Sequence, residues 1–183
     1  NARILILERS GFVSYANCGL PYYIGGEIRD AETLTLQTPD SLWNRYRIET
    51  RVRHEVKAIC RGEKTVTVLD RDKGREYQES YDKLILAPGA KPQRPPIPGV
   101  HNDRIYTLRT VEDMLLIARE AAAHRAKSSV VVGGGFIGLE MAENLRRLGM
   151  EVTLVEMHRQ VLGQLDPDMA GFVHAHLRSS GVQ

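Results

Sequence analysis

The fold is decided by the stretch Val130-Val131-Val132-Gly133-Gly134-Gly135-Phe136-Ile137-Gly138. A short apolar strand leads into a G-x-G-x-x-G motif, and the residues that follow have the composition of a helix. A dinucleotide-binding turn requires this context, because the amino end of the helix then faces the charge of a pyrophosphate. The stretch therefore predicts an α/β domain of the Rossmann type.

The glycines of this motif have different expected roles. Gly133 allows the tight turn, Gly135 lets backbone amides approach a pyrophosphate, and Gly138 lets the helix and the strand pack closely. A glycine-rich turn without a ligand is the alternative, and the full strand–helix–strand context counts against it. The residues that we expect to bind the cofactor here are Gly133, Gly134, Gly135, Phe136, Ile137 and Gly138.

The strand after this helix ends at an acid, Glu156, 23 positions after Gly133. This is close to the ~20 positions expected for the acid that binds the ribose of the dinucleotide. A carboxylate there accepts hydrogen bonds from the ribose hydroxyls and repels a 2′-phosphate. The position favours NADH, although Arg159 nearby leaves NADPH open.

Composition excludes several classes of protein. The chain has 183 residues, of which 42% are hydrophobic and 26% charged, with a net charge of +2. Nucleic-acid binders concentrate positive charge far more strongly, so neither nucleic acid nor a membrane surface is an expected partner. No apolar run approaches the ~20 residues that cross a bilayer, and no signal peptide opens the chain. A cytoplasmic location is the expectation.

Hydrophobic periodicity predicts further elements on both sides of the motif. Helices are predicted at Thr38–Tyr46, Thr110–His124, Phe136–Leu148, and from a cap at Asp166 to just before Gly181. Strands are predicted at residues 1–8, 52–60, 64–69, 75–80, 81–86, 129–132 and 151–156.

A proline-rich segment divides these elements. Pro92 to Pro98 contains four prolines and is the best candidate for a linker. We expect a partial FAD-binding domain at residues 1–103 and a partial NAD-binding domain at residues 104–183. The predicted fold is thus α/β, with parts of two Rossmann-like, three-layer FAD/NAD(P)-binding domains truncated at both ends.

The two cysteines, Cys18 and Cys60, share no C-x-x-C spacing, so neither a metal site nor a dithiol pair is indicated. Cys60 alternates with apolar neighbours and is predicted to be a core residue. Cys18 precedes Gly19-Leu20-Pro21, where a helix could begin, and a thiol at the amino end of a helix is stabilised as thiolate. From spacing alone, however, a buried apolar cysteine is the better interpretation.

The segment Ser14 to Gly26 closely resembles the active-site segment of coenzyme A-disulfide reductases and their NADH-dependent persulfide-reductase relatives. These enzymes are a branch of the FAD-dependent pyridine nucleotide-disulfide oxidoreductase family. The similarity extends through Tyr81 to Ala90 and Gly133 to Glu140, and the stretch Val161 to Met169 also resembles that branch.

The resemblance implies a homodimeric flavoenzyme in which NADH reduces FAD and the flavin reduces a single cysteine. It makes Cys18 that catalytic cysteine, with Asn17 acting beside it and with Asn17 and Ser14 contacting the thiol arm of coenzyme A. It places Phe136 over the nicotinamide pocket and Glu140 near the nicotinamide and the flavin. The residues that it assigns to FAD are Glu8, Arg9, Val56, Ala87, Pro88 and Gly89.

Other interpretations stay open. An NADH oxidase or peroxidase of the same family would oxidise the same cysteine to a sulfenic acid. A non-catalytic NAD-binding regulatory module is the alternative from another class. Tyr46 stands where some members of the family place a lysine against coenzyme A. His174 and His176 are two positions apart on a predicted helix, and both are expected at its surface.

Overall fold

The structure of the protein is a computed structural model that describes residues 2–123 and 126–183. Its strands and α-helices, in chain order, are β1 (Leu5–Glu8), β2 (Ser14–Tyr15), α1 (Leu20–Ile24), β3 (Thr35–Gln37), α2 (Pro39–Tyr46), β4 (Glu49–Val52), β5 (His54–Cys60), β6 (Thr65–Asp70), β7 (Arg75–Ser80), α3 (Val111–Ala123), β8 (Ser128–Val132), α4 (Phe136–Arg147), β9 (Glu151–Val155) and α5 (Pro167–Ser179). Short 3-10 helices lie at Asn17–Gly19 and Ala31–Leu34.

Contacts divide the chain into two units. The first holds the residues up to Ala16 together with Thr35–Lys91, and the second holds Asn17–Leu34 together with Pro92–Gln183. The segment around Cys18 therefore clusters with the glycine motif. The domain boundary expected at residue 103 stays a prediction.

The first unit is built mainly of strands. β1 and β4 pair in parallel, β2 pairs with β3, and β5, β6 and β7 form an antiparallel sheet in that order. Val66 and Val68 of the central strand β6 are buried. Arg51 on β4 donates to Glu49 (2.5 Å), Tyr77 (3.0 Å) and Glu79 (2.6 Å), and so joins the parallel pair to β7.

Helix α2 begins as the sequence predicts. Ser41 N donates to the Thr38 hydroxyl, and the Ser41 hydroxyl accepts from Thr38 N, so the first turn is capped at both groups. At its other end the exposed Arg45 guanidinium lies 5.1 Å from the ring of Tyr46. These residues form a solvated end of the helix.

The second unit carries the predicted Rossmann elements. β8 and β9 pair in parallel, with Val132 opposite Val155, and α4 connects them. Val182 forms a parallel bridge with Val152, as expected for a chain that turns back after α5. Helices α3 and α4 both pack against α1, the short helix that follows Cys18. The core of this unit includes Met114, Ala142 and Val152.

The structure contradicts the sequence predictions for residues 81–86 and for Cys60. Residues 81–86 form no strand, and Ile85 is 89% exposed, because no described strand pairs with this apolar run. Cys60, predicted to be a core residue, is exposed, since β5 lies at the edge of its sheet. The predicted ends Asn1 and His124 lie outside the described residues. None of the described helices has both the length and the apolar composition needed to span a membrane.

Candidate active site

The turn between β8 and α4 is held by backbone geometry that favours glycine. Gly133 has φ +109°, a conformation that side-chain-bearing residues rarely adopt. Its amide donates to the carbonyl of Val155 at 2.8 Å, which joins the turn to the end of β9. The chain therefore reverses directly above the parallel pair, and α4 begins at Phe136 with Gly135 as its N-cap.

The other glycines of the motif differ in the space that a side chain would have. A Cβ atom at Gly138 would lie 1.9 Å from the carbonyl oxygen of Gly133, so α4 approaches the turn too closely for a side chain. At Gly134 a Cβ atom would lie 2.7 Å from Cγ1 of Val161. At Gly135 it would meet nothing within 4 Å, so this glycine borders open space. Open space at the helix terminus fits the approach of a pyrophosphate.

Glu156 lies immediately after β9 and is bound to the same turn. One carboxylate oxygen accepts from Gly134 N at 2.6 Å, and the other accepts from His158 N at 2.8 Å. The hydrogen bond from His158 has the largest effect on the pKa of Glu156, followed by that from Gly134. Both lower the pKa below its ordinary value of 4.5. The carboxylate is thus anionic and fixed in place at neutral pH, beside the glycine turn.

The first turn of α4 presents apolar side chains to solvent. Phe136 and Ile137 are both exposed, whereas Glu140, one turn further along the helix, is half-buried. Exposed apolar side chains at the start of a helix contribute little to the core of this unit. They are available to contact a planar group bound at the turn.

Cys18 lies in a 3-10 turn at Asn17–Gly19, directly before α1. Its thiol is exposed, so the interpretation as a buried apolar cysteine is wrong. The turn is fixed from both sides. A Cβ atom at Gly19 would lie 2.2 Å from Cδ2 of Leu34, and the Asn17 side-chain oxygen accepts from Arg109 Nη1 at 3.3 Å.

Arg109 was not found by sequence reasoning. It lies 92 positions from Asn17, just before α3, and no motif connects the two residues. Its backbone position is set by Asp113, whose carboxylate accepts from the amides of Arg109 (2.9 Å) and Thr110 (3.0 Å). The acids in the first turn of α3 indicated the start of that helix, but not what would lie beside it.

The structure also contradicts the expectation that His174 lies at the helix surface. His176 is exposed, as expected, but His174 is half-buried, and its Nε2 accepts from the backbone amide of Val161 at 3.1 Å. The two residues do face different directions on α5, since residues two apart on a helix cannot share a face. Helical periodicity predicts which residues share a face of α5, but not that the loop carrying Val161 covers one of them.

The residues assigned to FAD lie in the first unit. The Glu8 carboxylate accepts from Ser10 N at 2.7 Å, while Arg9 is exposed and its carbonyl accepts from Arg71 at 3.2 Å. Ser14, which the resemblance assigns to the thiol arm of coenzyme A and not to FAD, lies on β2, paired opposite Gln37. Val56 is exposed and adjoins a bulge at residue 57 of β5. The remaining three, Ala87, Pro88 and Gly89, are exposed, and Gly89 has φ +70°.

The parallel strands, the glycine turn and the strand-terminal acid define a dinucleotide-binding α/β protein. The family model for pyridine nucleotide-disulphide oxidoreductases matches residues 1–183, and the chain belongs to that family. This confirms the family identified from the segment around Cys18 and from the glycine motif.

The relatives agree with the particular branch. The chain is 38% identical to the coenzyme A disulfide reductase of Staphylococcus haemolyticus over all of its length, but spans only 41% of that protein. Among solved structures it resembles the reduced CoADR-RHD protein of Bacillus anthracis (44% identity, TM-score 0.96, covering 99% of this chain and 33% of the other). It also resembles a NAD-dependent persulfide reductase from A. fulgidus (37%, TM-score 0.92, 98% and 34%). A water-forming NADH oxidase from Lactobacillus brevis bound to NADH is similar too (32%, TM-score 0.92, 100% and 40%).

Proposed function

We propose that the full-length protein is an NADH-dependent flavoprotein that reduces a coenzyme A disulfide, a persulfide or a polysulfide through Cys18. The observation that carries this proposal is the exposed thiol of Cys18 in a turn that Leu34 and Arg109 hold in place. An exposed, positioned thiol suits attack on a disulfide better than a structural role. The names of the relatives support the same class of substrate.

The reaction on coenzyme A disulfide balances with one cysteine. The Cys18 thiolate attacks one sulfur of the disulfide, the sulfur–sulfur bond breaks, and one coenzyme A thiolate leaves while a mixed disulfide forms. Two electrons and a proton then return Cys18 to its thiolate and release the second coenzyme A as thiol. When bound, NADH and FAD supply that electron pair. Asn17, held by Arg109, and Ser14 would orient the thiol arm.

Cofactor choice follows from Glu156. Its carboxylate is held beside the glycine turn by two backbone amides and carries a negative charge at neutral pH. That charge would repel a 2′-phosphate and accept from ribose hydroxyls, so we propose NADH as the preferred donor, with Gly133 to Gly138 around the pyrophosphate. Phe136 and Glu140 would lie nearer the nicotinamide. A ratio of kcat/KM that favours NADPH over NADH would contradict this.

The FAD contacts are supported by a parallel between two acids. Glu8 ends β1 and accepts from the amide of Ser10, and Glu156 follows β9 and accepts from the amide of His158. Both carboxylates are thus fixed by the residue two positions further on. We therefore propose Glu8 for the adenosine ribose of FAD, with contacts from Arg9, from Val56 and from the segment Ala87-Pro88-Gly89.

The decisive experiment uses the two cysteines as a matched pair, since both are exposed. In the full-length enzyme, Cys18→Ser should abolish NADH consumption with coenzyme A disulfide, whereas Cys60→Ser should leave it unchanged. Mass spectrometry of the wild type after incubation with coenzyme A disulfide should find coenzyme A on Cys18. Disulfide reduction retained by Cys18→Ser would refute the assigned nucleophile.

Oxygen reduction is the second candidate, favoured by the 32% identity to the water-forming NADH oxidase. Two electrons from NADH would then reduce oxygen to peroxide, and the peroxide would oxidise the Cys18 thiolate to a sulfenic acid with release of water. Parallel assays with coenzyme A disulfide, polysulfide, oxygen and peroxide rank the acceptors by kcat/KM. A colourless full-length protein would favour the non-catalytic NAD-binding module. The homodimer and the cytoplasmic location remain part of the proposal.

A further inference from the structure

His174 holds the loop between β9 and α5 by a hydrogen bond that requires a neutral ring. The backbone amide of Val161 donates to Nε2 of His174 at 3.1 Å. An amide can donate only to an unprotonated ring nitrogen, so the proton of the neutral imidazole must lie on Nδ1. A second proton would turn the acceptor into a donor that faces another donor.

The loop that His174 holds supports the glycine turn directly. Val161 is buried, and its side chain occupies the space where a Cβ atom of Gly134 would lie. The next amide, Leu162 N, donates to the carbonyl of Gly134 at 2.8 Å. Gly134 N in turn donates to Glu156. A continuous set of contacts thus runs from His174 through Val161 and Leu162 to the turn and its acid.

We propose that His174 is a positioning residue for dinucleotide binding, and that its protonation weakens binding by releasing Val161 from the glycine turn. The inference rests on the proposed function, since it assumes that NAD binds at Gly133 to Gly138. His174 needs no contact with the dinucleotide. It acts through the loop, in a unit where the loop, α5 and the turn are all in contact.

The charged groups around His174 come from the loop and from α5. They line an open pocket of about 220 Å³ beside the ring. Leu154 of β9 and Val182, which follows α5, line the same pocket. Glu156 also lines this pocket, and its carboxylate accepts from two backbone amides, which lower its pKa. The other charged or titratable side chains lining this pocket are His158, Arg159 and Arg178.

The test measures NAD⁺ binding to the full-length, FAD-loaded enzyme by calorimetry, since NAD⁺ cannot reduce the flavin. Affinity is compared at about pH 8 and about pH 5.5, either side of the range in which histidine ordinarily titrates. Loss of one hydrogen bond predicts that wild-type binding weakens about fivefold at the lower pH. His174→Gln keeps an acceptor that does not titrate and should abolish this loss, whereas His174→Ala should bind weakly at both values.

Two variants serve as controls. His176→Ala changes an exposed histidine on the same helix, and His158→Gln removes the other histidine of the pocket. Both should retain the wild-type pH dependence. If His158→Gln abolishes it, or if His174→Gln keeps it in full, the role assigned to His174 is wrong.

A second measurement does not depend on any ligand. Hydrogen exchange of the Val161 amide in the NAD-free enzyme, corrected for the intrinsic effect of pH, should be faster in His174→Ala than in His176→Ala. Equal protection in the two variants would overturn the inference. The two proposals can also fail separately. If the wild type binds no NAD⁺ at about pH 8 while the two variants still differ in exchange, the proposed function is refuted and the His174 contact stands.

Discussion

Gly135 and Gly138 lie in one turn, yet a methyl group would meet different surroundings at each. At Gly138 it would lie 1.9 Å from the carbonyl oxygen of Gly133, and at Gly135 it would meet nothing within 4 Å. Gly138→Ala gains about 1 kcal/mol of helix propensity but introduces an overlap that typically costs about 1–3 kcal/mol or more. The overlap is severe and involves backbone, so the loss should exceed the gain.

We therefore expect Gly138→Ala to lower the melting temperature of the full-length enzyme. Gly135→Ala should leave it unchanged and instead raise the Kd for NAD⁺, because its methyl group would occupy space that a pyrophosphate approaches. Thermal scans and calorimetric titrations separate the two effects. Unaltered NAD⁺ affinity in Gly135→Ala would contradict the placement of the phosphates.

Glu156 makes stability depend on pH in a direction that can be worked out. Its pKa in the folded protein is lowered by the amides of His158 and Gly134, so it contributes stability above its ordinary pKa of 4.5. That contribution is lost as the pH falls through the lowered value. Glu156→Gln has one acceptor oxygen for two amide donors, so its side-chain amide group would face one of them.

Glu156→Gln should thus melt below the wild type at neutral pH, and the gap should close as the pH falls below about 4.5. Melting temperatures of both proteins across the acid range provide the measurement. A gap that stays constant down to the lowest pH would mean that the charge of Glu156 contributes nothing to stability.

Helix α1 lies close to α4 where Gly25, directly after α1, meets Asn144. Asn144 on α4 is fully buried, and its amide donates to the carbonyl of Glu140 at 2.8 Å. Its Oδ1 has no hydrogen-bond partner among the described residues and lies where a Cβ atom of Gly25 would be 2.1 Å away. Gly25 has helical backbone angles (φ −73°), so only this contact excludes a side chain.

Gly25→Ala should therefore destabilise the enzyme by about 1–3 kcal/mol, and adding Asn144→Ala should recover part of the loss, because it removes the atom that the methyl group meets. Gly171→Ala is the matched control. Gly171 is exposed within α5 with nothing within 4 Å, so alanine there should stabilise by up to about 1 kcal/mol. Strict additivity of Gly25→Ala and Asn144→Ala in thermal or denaturant unfolding would contradict the contact.

Local signals predicted the elements that depend on neighbouring residues. The Thr38 cap, the glycine turn at Gly133 and the helix that opens with Pro167 all lie where sequence placed them, because caps and turns are decided within a few residues. The prediction of a strand at residues 81–86 was wrong, because an apolar segment becomes a strand only when another strand pairs with it. That information lies elsewhere in the chain or in the full-length protein.

The candidate site divides in the same way. The glycines, Glu156 and Cys18 were found from motifs, which record local chemistry. Arg109 and His174 were missed because their contacts, with Asn17 and Val161, depend on how distant segments fold together. Neither contact leaves a periodic or spaced pattern in the sequence, so only the folded structure shows it.

At the scale of the whole molecule, the apolar side chains left exposed point to surfaces that the full-length protein covers. Ile85 and Leu86 are largely exposed, as are Val130 and Val132, which share one face of β8. Burial of an aliphatic side chain is worth about 1.5–3 kcal/mol, so such surfaces favour coverage by further chain. The curated relative is more than twice as long as this chain, which spans 41% of it.

We expect residues 84–86 to be paired or covered in the full-length enzyme, and their amides to exchange slowly with solvent. Hydrogen–deuterium exchange with mass spectrometry can test this within one protein. Gln93 and Arg94 are exposed, and their amides have no hydrogen-bond acceptor among the described residues, so they serve as the internal reference for fast exchange. If residues 84–86 exchange as fast as Gln93 and Arg94, this apolar run is solvated in the full-length enzyme, and the strand that the sequence predicts there does not form.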